Sequence, residues 1–423
     1  MRVTIMSVGS RGDVQPYVAL GLGLQAAGHD VILATHDDFR AFVQEYGLEF
    51  RAIAGSPRAM MGSPEGKRVA GSGANPLLFA RTFGRVFAGY ADEFFRETLA
   101  ACEGADAIIY AYFALSGYGI ARKKGIPGVL GLLQPMNRTT RFPLQPSPVF
   151  GTWNGIYNWT TFVVAQQLFG QIFKKQMNAW NKKLGLPPMP LAGFYSMADR
   201  KNFPVLYGYS PTLVPRPPDW KENMHVTGYW YLGQPQGWKP PADLLRFLEA
   251  GEPPVYVGFG SMTTAYPEKT TRIVVEALRR AGKRGILLSG WGALHGGELP
   301  ASVYCIESIP HDWLFPRMQA VVHHGGSGST GAGLKSGVPS FAVPFFADQY
   351  FWGDRLARLG VGPKPVPQDR LTVERLTEAL KQATSDPQMK KRAVVAGKRA
   401  RSEMGVEKAV EAFEREVARF RKY

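Results

Sequence analysis

The side chains best placed by type and spacing to do chemistry lie in residues 323–354, HHGGSGSTGAGLKSGVPSFAVPFFADQYFWGD. Gly325, Gly326 and Gly328 permit close backbone approach. Ser327, Ser329 and Thr330 add hydroxyl donors at the start of a helix running through Ala332, Leu334 and Lys335. A helix N-terminus with uncommitted N–H groups binds anions, so this turn can hold a phosphate or diphosphate. Further along, Asp348 and Gln349 set a carboxylate beside an amide, a pair able to grip two neighbouring hydroxyls of a sugar. A glycine-rich turn, or an Asp capping the turn after Pro344, is also ordinary structure; the combination is what points to a ligand.

Elements must present these groups. Ala320-Val321-Val322 reads as the end of a buried strand that delivers His323 and His324 to its carboxyl end. The helix should stop at Gly337 and Val338–Val343 should form the next strand, giving a strand–helix–strand unit with a crevice at its strand ends. The amino terminus repeats this logic. Val3–Val8 reads as a strand, Gly9–Asp13 as a turn, the stretch from Pro16 to about Ala27 as a helix ended by Gly28, and Asp30–Thr35 as a second strand. Asp13 in that turn reads either as a helix cap or as a base at the mouth of a crevice.

A chain of 423 residues is too long for one ordinary core and implies two domains. Hydrophobic residues make up 45%, normal for a globular protein. Two cysteines, Cys102 and Cys305, exclude a disulfide framework and make a reducing cytoplasm the expected compartment. The first apolar stretch is too short for a signal peptide, and no run reaches the roughly eighteen apolar residues of a membrane span. The expectation is a soluble protein, peripheral to a membrane at most. The net charge of +16 is spread out, with its densest cluster at Lys390–Arg401, and nothing matches a nucleic-acid module. Attraction to an anionic membrane and a plain solvated basic surface both fit that charge.

Between the first domain's strands and residue 200 the chain is rich in proline and aromatics. From Asn154 to Asn181 the spacing is helical, which fits core packing, the wall of an apolar ligand pocket, or partial insertion at a bilayer surface. Phe142, Phe150, Trp153 and Tyr157 are the candidates for such a pocket. Residues 211–241 hold many prolines and read as a linker. Beyond it come a helix at Ala242–Ala250, a strand at Val255–Phe259 running into Gly260-Ser261, a strand at Arg284–Ser289 followed by Trp291, and a strand at Val303–Ile306. Trp291, just past a strand end, could pack against a nucleotide. GLGLQAAG at 21–28 lies inside a helix, so a dinucleotide fingerprint is rejected, and no acidic or cysteine partner stands at ligand spacing from His323 and His324 for a metal.

Residues 323–349 resemble the donor-binding box of nucleotide-sugar glycosyltransferases of the GT-B fold, as found in sterol glucosyltransferases and bacterial antibiotic aglycone glycosyltransferases. GSRGDVQPY at 9–17, and PVLYGYSPTLVPRPPDW followed by VTGYWYL, resemble the sterol enzymes as well. The resemblance implies an α/β fold of two Rossmann-like doubly wound domains facing a central cleft: an acceptor domain over 1–215, a linker over 216–241, and a donor domain over 242–423. The last helix, about Met389–Tyr423, would cross back to the first domain. It further implies diphosphate contacts from Ser261, His324, Gly326, Gly328, Ser329 and Thr330, and sugar contacts from Asp348 and Gln349. The plant form stacks a tryptophan on the base. Here Ile306 or Ser308 stands near that place and Trp313 comes too late, leaving Trp291 and Ile309 as nucleotide candidates. The catalytic histidine of plant relatives is replaced by Asp13, flanked by Ser10, Arg11 and Gly12. The strand Ala107–Tyr112 carries no carboxylate to orient a histidine, consistent with a carboxylate base. The implied reaction is inverting hexose transfer from UDP-glucose to a sterol-like alcohol, without metal or other cofactor. Transfer of a dTDP- or UDP-sugar to a polyketide or glycopeptide aglycone, a sugar-nucleotide epimerase, and a non-catalytic lipid or sugar-nucleotide binder are the other readings.

Overall fold

The computed structural model describes residues 1–63, 82, 84–144, 154–190, 193–200, 203–235, 237–260, 262, 267–289 and 299–422. Seven short apolar runs form the first sheet: β1 (Arg2–Met6), β2 (Asp30–Thr35), β3 (Glu49–Ala52), β4 (Ala107–Tyr110), β5 (Gly128–Leu132), β6 (Val205–Tyr207) and β7 (Met224–Val226). Five form the second: β8 (Val255–Gly258), β9 (Gly285–Leu288), β10 (Val303–Ile306), β11 (Ala320–His323) and β12 (Ser340–Ala342). The orders are β3-β2-β1-β4-β5-β6-β7 and β10-β9-β8-β11-β12, with each neighbouring pair parallel. Val3, Ile5, Ile108, Ile109, Val129 and Leu206 have no exposed surface, as strands covered by helices on both faces require. Because every strand is parallel, all carboxyl ends of a sheet lie along one edge, where α/β proteins bind ligands. The two-domain α/β architecture of the GT-B type is thus present.

Three elements differ from the sequence reading. The first helix spans Arg11–Ala26 and does not wait for Pro16, because Ser10 and Asp13 close a capping box that nucleates it earlier. Pro16 then sits inside the helix, where it lacks the N–H that would bond the Gly12 carbonyl. The expected linker contains β7, which adds the seventh strand to the first sheet by pairing Val205 to Met224 and Tyr207 to Val226. The C-terminal stretch is two helices, Pro387–Arg401 and Gly405–Phe420, broken at Met404, whose φ of 51° is left-handed.

The second of these helices packs on the first domain. Ala409, Phe413 and Val417 are buried in the same core as β1 and the first helix. His225 and His29 contact Glu416 and Glu414 at 2.9 and 3.1 Å. Where the chain crosses, Glu403 accepts the Ser210 hydroxyl and the Thr212 N–H at 2.5 and 3.2 Å, and a Cβ on Gly405 would strike the Tyr229 carbonyl. The aromatic stretch forms one long helix, Gly155–Leu184, with its buried face on the first domain.

Candidate functional site

The turn after β1 presents Asp13. Gly9 adopts φ 137°, and a Cβ there would lie 2.3 Å from Asp13 Oδ2, so only glycine leaves room for the carboxylate. Oδ2 accepts the Ser10 N–H at 2.7 Å and the Ser10 hydroxyl at 3.0 Å. Cap and candidate base are therefore one group, and the hydrogen bonds that cap the helix also fix the carboxylate's direction. Burial pushes the Asp13 carboxyl above its ordinary value, while the two Ser10 donors hold it back. Arg11 lies over the Phe42 ring at 4.3 Å and donates to Gln15 at 3.2 Å. Ser10, Arg11, Gly12 and Asp13 all border one cavity of about 1860 Å³ between the two sheets. Single-ligand pockets hold roughly 300–1,000 Å³, so this one has room for two substrates.

Across the cavity, the turn after β11 runs into the helix Ser327–Ser336, whose N-cap is Gly326. No side chain among the described residues caps it, and the N–H groups of Ser327, Gly328 and Ser329, which have no intrahelical acceptor, form an anion site. The adjacent histidines diverge. His323 is fully buried and its Nδ1 accepts the Gly325 N–H at 2.9 Å, which closes the turn. His324 borders the cavity, and its Nδ1 has no partner among the described residues. Burial lowers His324 to about 4, so it faces a ligand as a neutral imidazole. It is wedged between glycines: a Cβ on Gly326 would lie 2.4 Å from its Nε2, and one on Gly260 3.0 Å from its Cε1.

Asp348 and Gln349 open the helix Gln349–Leu359. Ala347 before them has φ 53°, an uncommon conformation for a residue with a side chain and a mark of functional sites. Asp348 Oδ2 accepts the Trp352 indole N–H at 2.8 Å. Its carboxyl is pushed up to about 6, chiefly by burial and further by the charge of Asp13, against the pull of the Trp352 bond. The two carboxylates thus feel each other across the cleft. Gln349 is used differently. Its Oε1 accepts the Phe345 and Phe346 N–H groups at 2.7 and 3.3 Å, and its Nε2 lies 3.3 Å from Met262 Sδ. The amide borders the cavity but is committed to holding the turn. Gly325, at φ 90°, lets this turn approach, since a Cβ there would lie 2.7 Å from the Gln349 carbonyl.

The structure brings Ser10, Arg11, Gly12, Asp13, His324, Gly326, Gly328, Ser329, Asp348, Gln349, Ile309, Phe142 and Tyr157 to this single cavity. Thr330 is apart: it is fully buried, and its hydroxyl has no partner among the described residues. Ser261, Trp291, Phe150 and Trp153 lie outside the described residues. Phe142 packs on Phe351 of the opposite domain with ring centroids 5.4 Å apart, so it forms wall as much as pocket. The apolar end of the cavity continues through Tyr112, Phe113, Leu168 and Phe169. The domains touch over the site where the Ser327 hydroxyl donates to the Leu133 carbonyl at 3.0 Å.

Two bordering residues escaped sequence reasoning. Lys335 stands over the Tyr231 ring at 4.4 Å, and Gly328, Ala332 and Lys335 all border the cavity at the i, i+4, i+7 spacing of one helix face, a signal legible in the sequence. His311 stacks on Phe315 with ring centroids 4.4 Å apart and lies 3.3 Å from the Tyr256 hydroxyl. Burial, then Arg11 and His324, lowers it to about 4. Only its place beside Ile309, past a strand end, hints at this position.

Residues 3–136 match the glycosyltransferase family 28 N-terminal domain, and residues 293–412 the Erythromycin biosynthesis protein CIII-like C-terminal domain. A sterol 3-beta-glucosyltransferase of Cryptococcus neoformans is 37% identical over 442 residues, covering 99% of this chain and 27% of that protein. The Emericella nidulans counterpart is 36% identical over 430 residues, covering 99% and 30%. The chain thus spans less than a third of the curated relatives it matches. Among solved structures, the kitacinnamycin glycotransferase superposes with a TM-score of 0.72 at 22% identity, covering 98% of this chain and 99% of that one. The calicheamicin glycosyltransferase does so at 0.69 and 19%, covering 99% and 98%. A Streptomyces glycosyltransferase solved with thymidine diphosphate aligns at 0.65 and 18%, covering 98% and 99%. With these two domain matches in one chain, on two parallel sheets that meet at a shared cleft, the protein has the GT-B fold.

Proposed function

We propose that the chain transfers a hexose, glucose, from a nucleoside diphosphate sugar, UDP-glucose, to the hydroxyl of a sterol or a similarly rigid apolar alcohol, with inversion. The observation that carries this reading is the sharing of one cavity by a buried carboxylate, an uncapped helix N-terminus and an apolar wall. Sterol 3-beta-glucosyltransferases matching nearly the whole chain support the choice of acceptor and sugar.

The acceptor oxygen bonds to the anomeric carbon while the bond from that carbon to the diphosphate oxygen breaks. Asp13 takes the acceptor proton, and its raised value makes it a better base than an ordinary aspartate. The electron pair leaves on the diphosphate. There the N–H groups of Ser327 to Ser329 and neutral His324 meet the growing charge. Ionised Asp348 accepts from a sugar hydroxyl, and closure over the Ser327–Leu133 contact keeps water from competing as nucleophile. In this reading the protein's own donors carry the diphosphate, so no metal is required.

A mass-spectrometric transfer screen of UDP- and dTDP-sugars against sterols, flavonoids and polyketides tests the proposal. A sterol gaining a hexose from UDP-glucose, unaffected by chelator, is the expected result. Transfer confined to a polyketide or glycopeptide acceptor would replace the sterol reading. A strict divalent-cation requirement would overturn the metal-free account.

A further inference from the structure

The helix Gly155–Leu184 is capped by Asn154, which accepts the Tyr157 N–H at 3.0 Å, and ends at left-handed Gly185. From Gly155 to Phe173 it carries no charged residue; Lys174, Lys175, Lys182 and Lys183 then follow. Asn158, Phe162, Gln166, Gly170 and Phe173 are buried at helical spacing and bind it to the first domain. The opposite face should turn polar if it met only water. Instead Ile156 is 75% exposed, Val164 58%, Trp159 42% and Leu168 38%. Val164 and Leu168 also border the cavity, so apolar side chains, with Thr160 among them, lead from its wall to the outside.

The helix cannot be a span, since no helix of the described residues is long and apolar enough to cross a membrane. An apolar face continued by a lysine-rich stretch is the pattern of a helix lying in a membrane interface. A second copy of this chain is the competing occupant. Two copies would bring their basic stretches together in a molecule of net charge +16, whereas an anionic lipid surface complements them.

We propose that the first half of this helix beds into an anionic lipid surface, with Lys174, Lys175 and Lys182 among the headgroups, and that an apolar acceptor enters past Val164 and Leu168 directly from the lipid. The entry route rests on the proposed acceptor class; the lipid docking does not.

The test uses the full chain, Ile156→Glu and Lys175→Glu, sedimented with phosphatidylcholine vesicles with and without phosphatidylserine. The unaltered protein should bind only the phosphatidylserine vesicles and release with salt, and each variant should lose at least about tenfold in partitioning, since each reverses one of the two attractions. Transfer to a cyclodextrin-delivered sterol should be unchanged in both variants, while transfer to a vesicle-embedded sterol falls in step with binding. Failure of the unaltered protein to bind, full binding by both variants, or a self-association that Ile156→Glu abolishes would each overturn the docking. Absence of transfer from cyclodextrin as well would refute the acceptor reading and leave the vesicle result to decide the docking alone.

Discussion

Replacing Asp13 by Asn separates the two duties that the structure gives this side chain. The amide keeps the shape of the carboxylate, and its oxygen can still accept the Ser10 N–H now bonded at 2.7 Å. The helix cap is therefore weakened and not removed, a cost of under about 1 kcal/mol. Gly9, which leaves space only for a group of this size, remains compatible. What disappears is the proton acceptor. A positioned general base contributes about 10²–10⁴-fold, or about 3–5 kcal/mol of barrier. Turnover at saturating donor and acceptor, followed by UDP release, should fall by that factor, while UDP affinity and the thermal midpoint stay close to those of the unaltered protein. The pH profile adds a second readout. Asp13 acts when ionised, so kcat/KM should rise with pH through an inflection above the ordinary aspartate value. In Asp13→Asn that inflection should vanish, leaving the one that belongs to Asp348, which should move below its value near 6 because the Asp13 charge that helps raise it is gone. An Asn variant within tenfold of full turnover would refute the assignment.

Gly326→Ala places a methyl 2.4 Å from His324 Nε2 although the backbone φ of −63° suits any residue, so its effect is steric displacement of the imidazole. A shift of about 1 Å in such a site can cost about a hundredfold, and donor KM should rise about 10–100-fold with little change in melting; an unchanged donor KM would place the diphosphate elsewhere. Asp348→Asn trades function for stability. With its carboxyl near 6 in the fold, against an ordinary 3.8, the native state prefers the protonated form. That contribution is full below about pH 4 and is lost as pH rises through 6. Asn escapes the loss while still accepting from Trp352, so denaturant unfolding at pH 7.5 should show the variant more stable by up to about 3 kcal/mol, with donor binding impaired. A variant less stable at pH 7.5 would contradict the burial argument.

What could be read from the chain was whatever local chemistry decides. Apolar runs ending in glycine located the strands and the anion turn, because Val321 and Val322 have no competing use and Gly325 must adopt a positive φ. Other features depended on partners distant in sequence. Thr330 resembles its neighbour Ser329 in type, yet the helical period puts it with Leu334 on the face turned to the sheet. Gln349 is drawn inward by two backbone N–H groups and Met262, none of which its own neighbourhood announces. β7 is only three residues long and shows no alternation to mark it. The early start of the first helix was legible as Ser10-x-x-Asp13, but Pro16 suggested a later one.

The packing of Gly405 against Gly228 and Tyr229 has a mechanical consequence. The polypeptide passes between the domains twice, and both passages meet at this one point. Two separated connections would hold the halves rigid or let them shear. Two coincident ones leave a single point of attachment between the halves. Tyr229 and Tyr231 border the cavity, so that point is part of the chamber wall. A substitution that pushes these two passages apart would therefore alter the chamber wall as well as the connection between the domains.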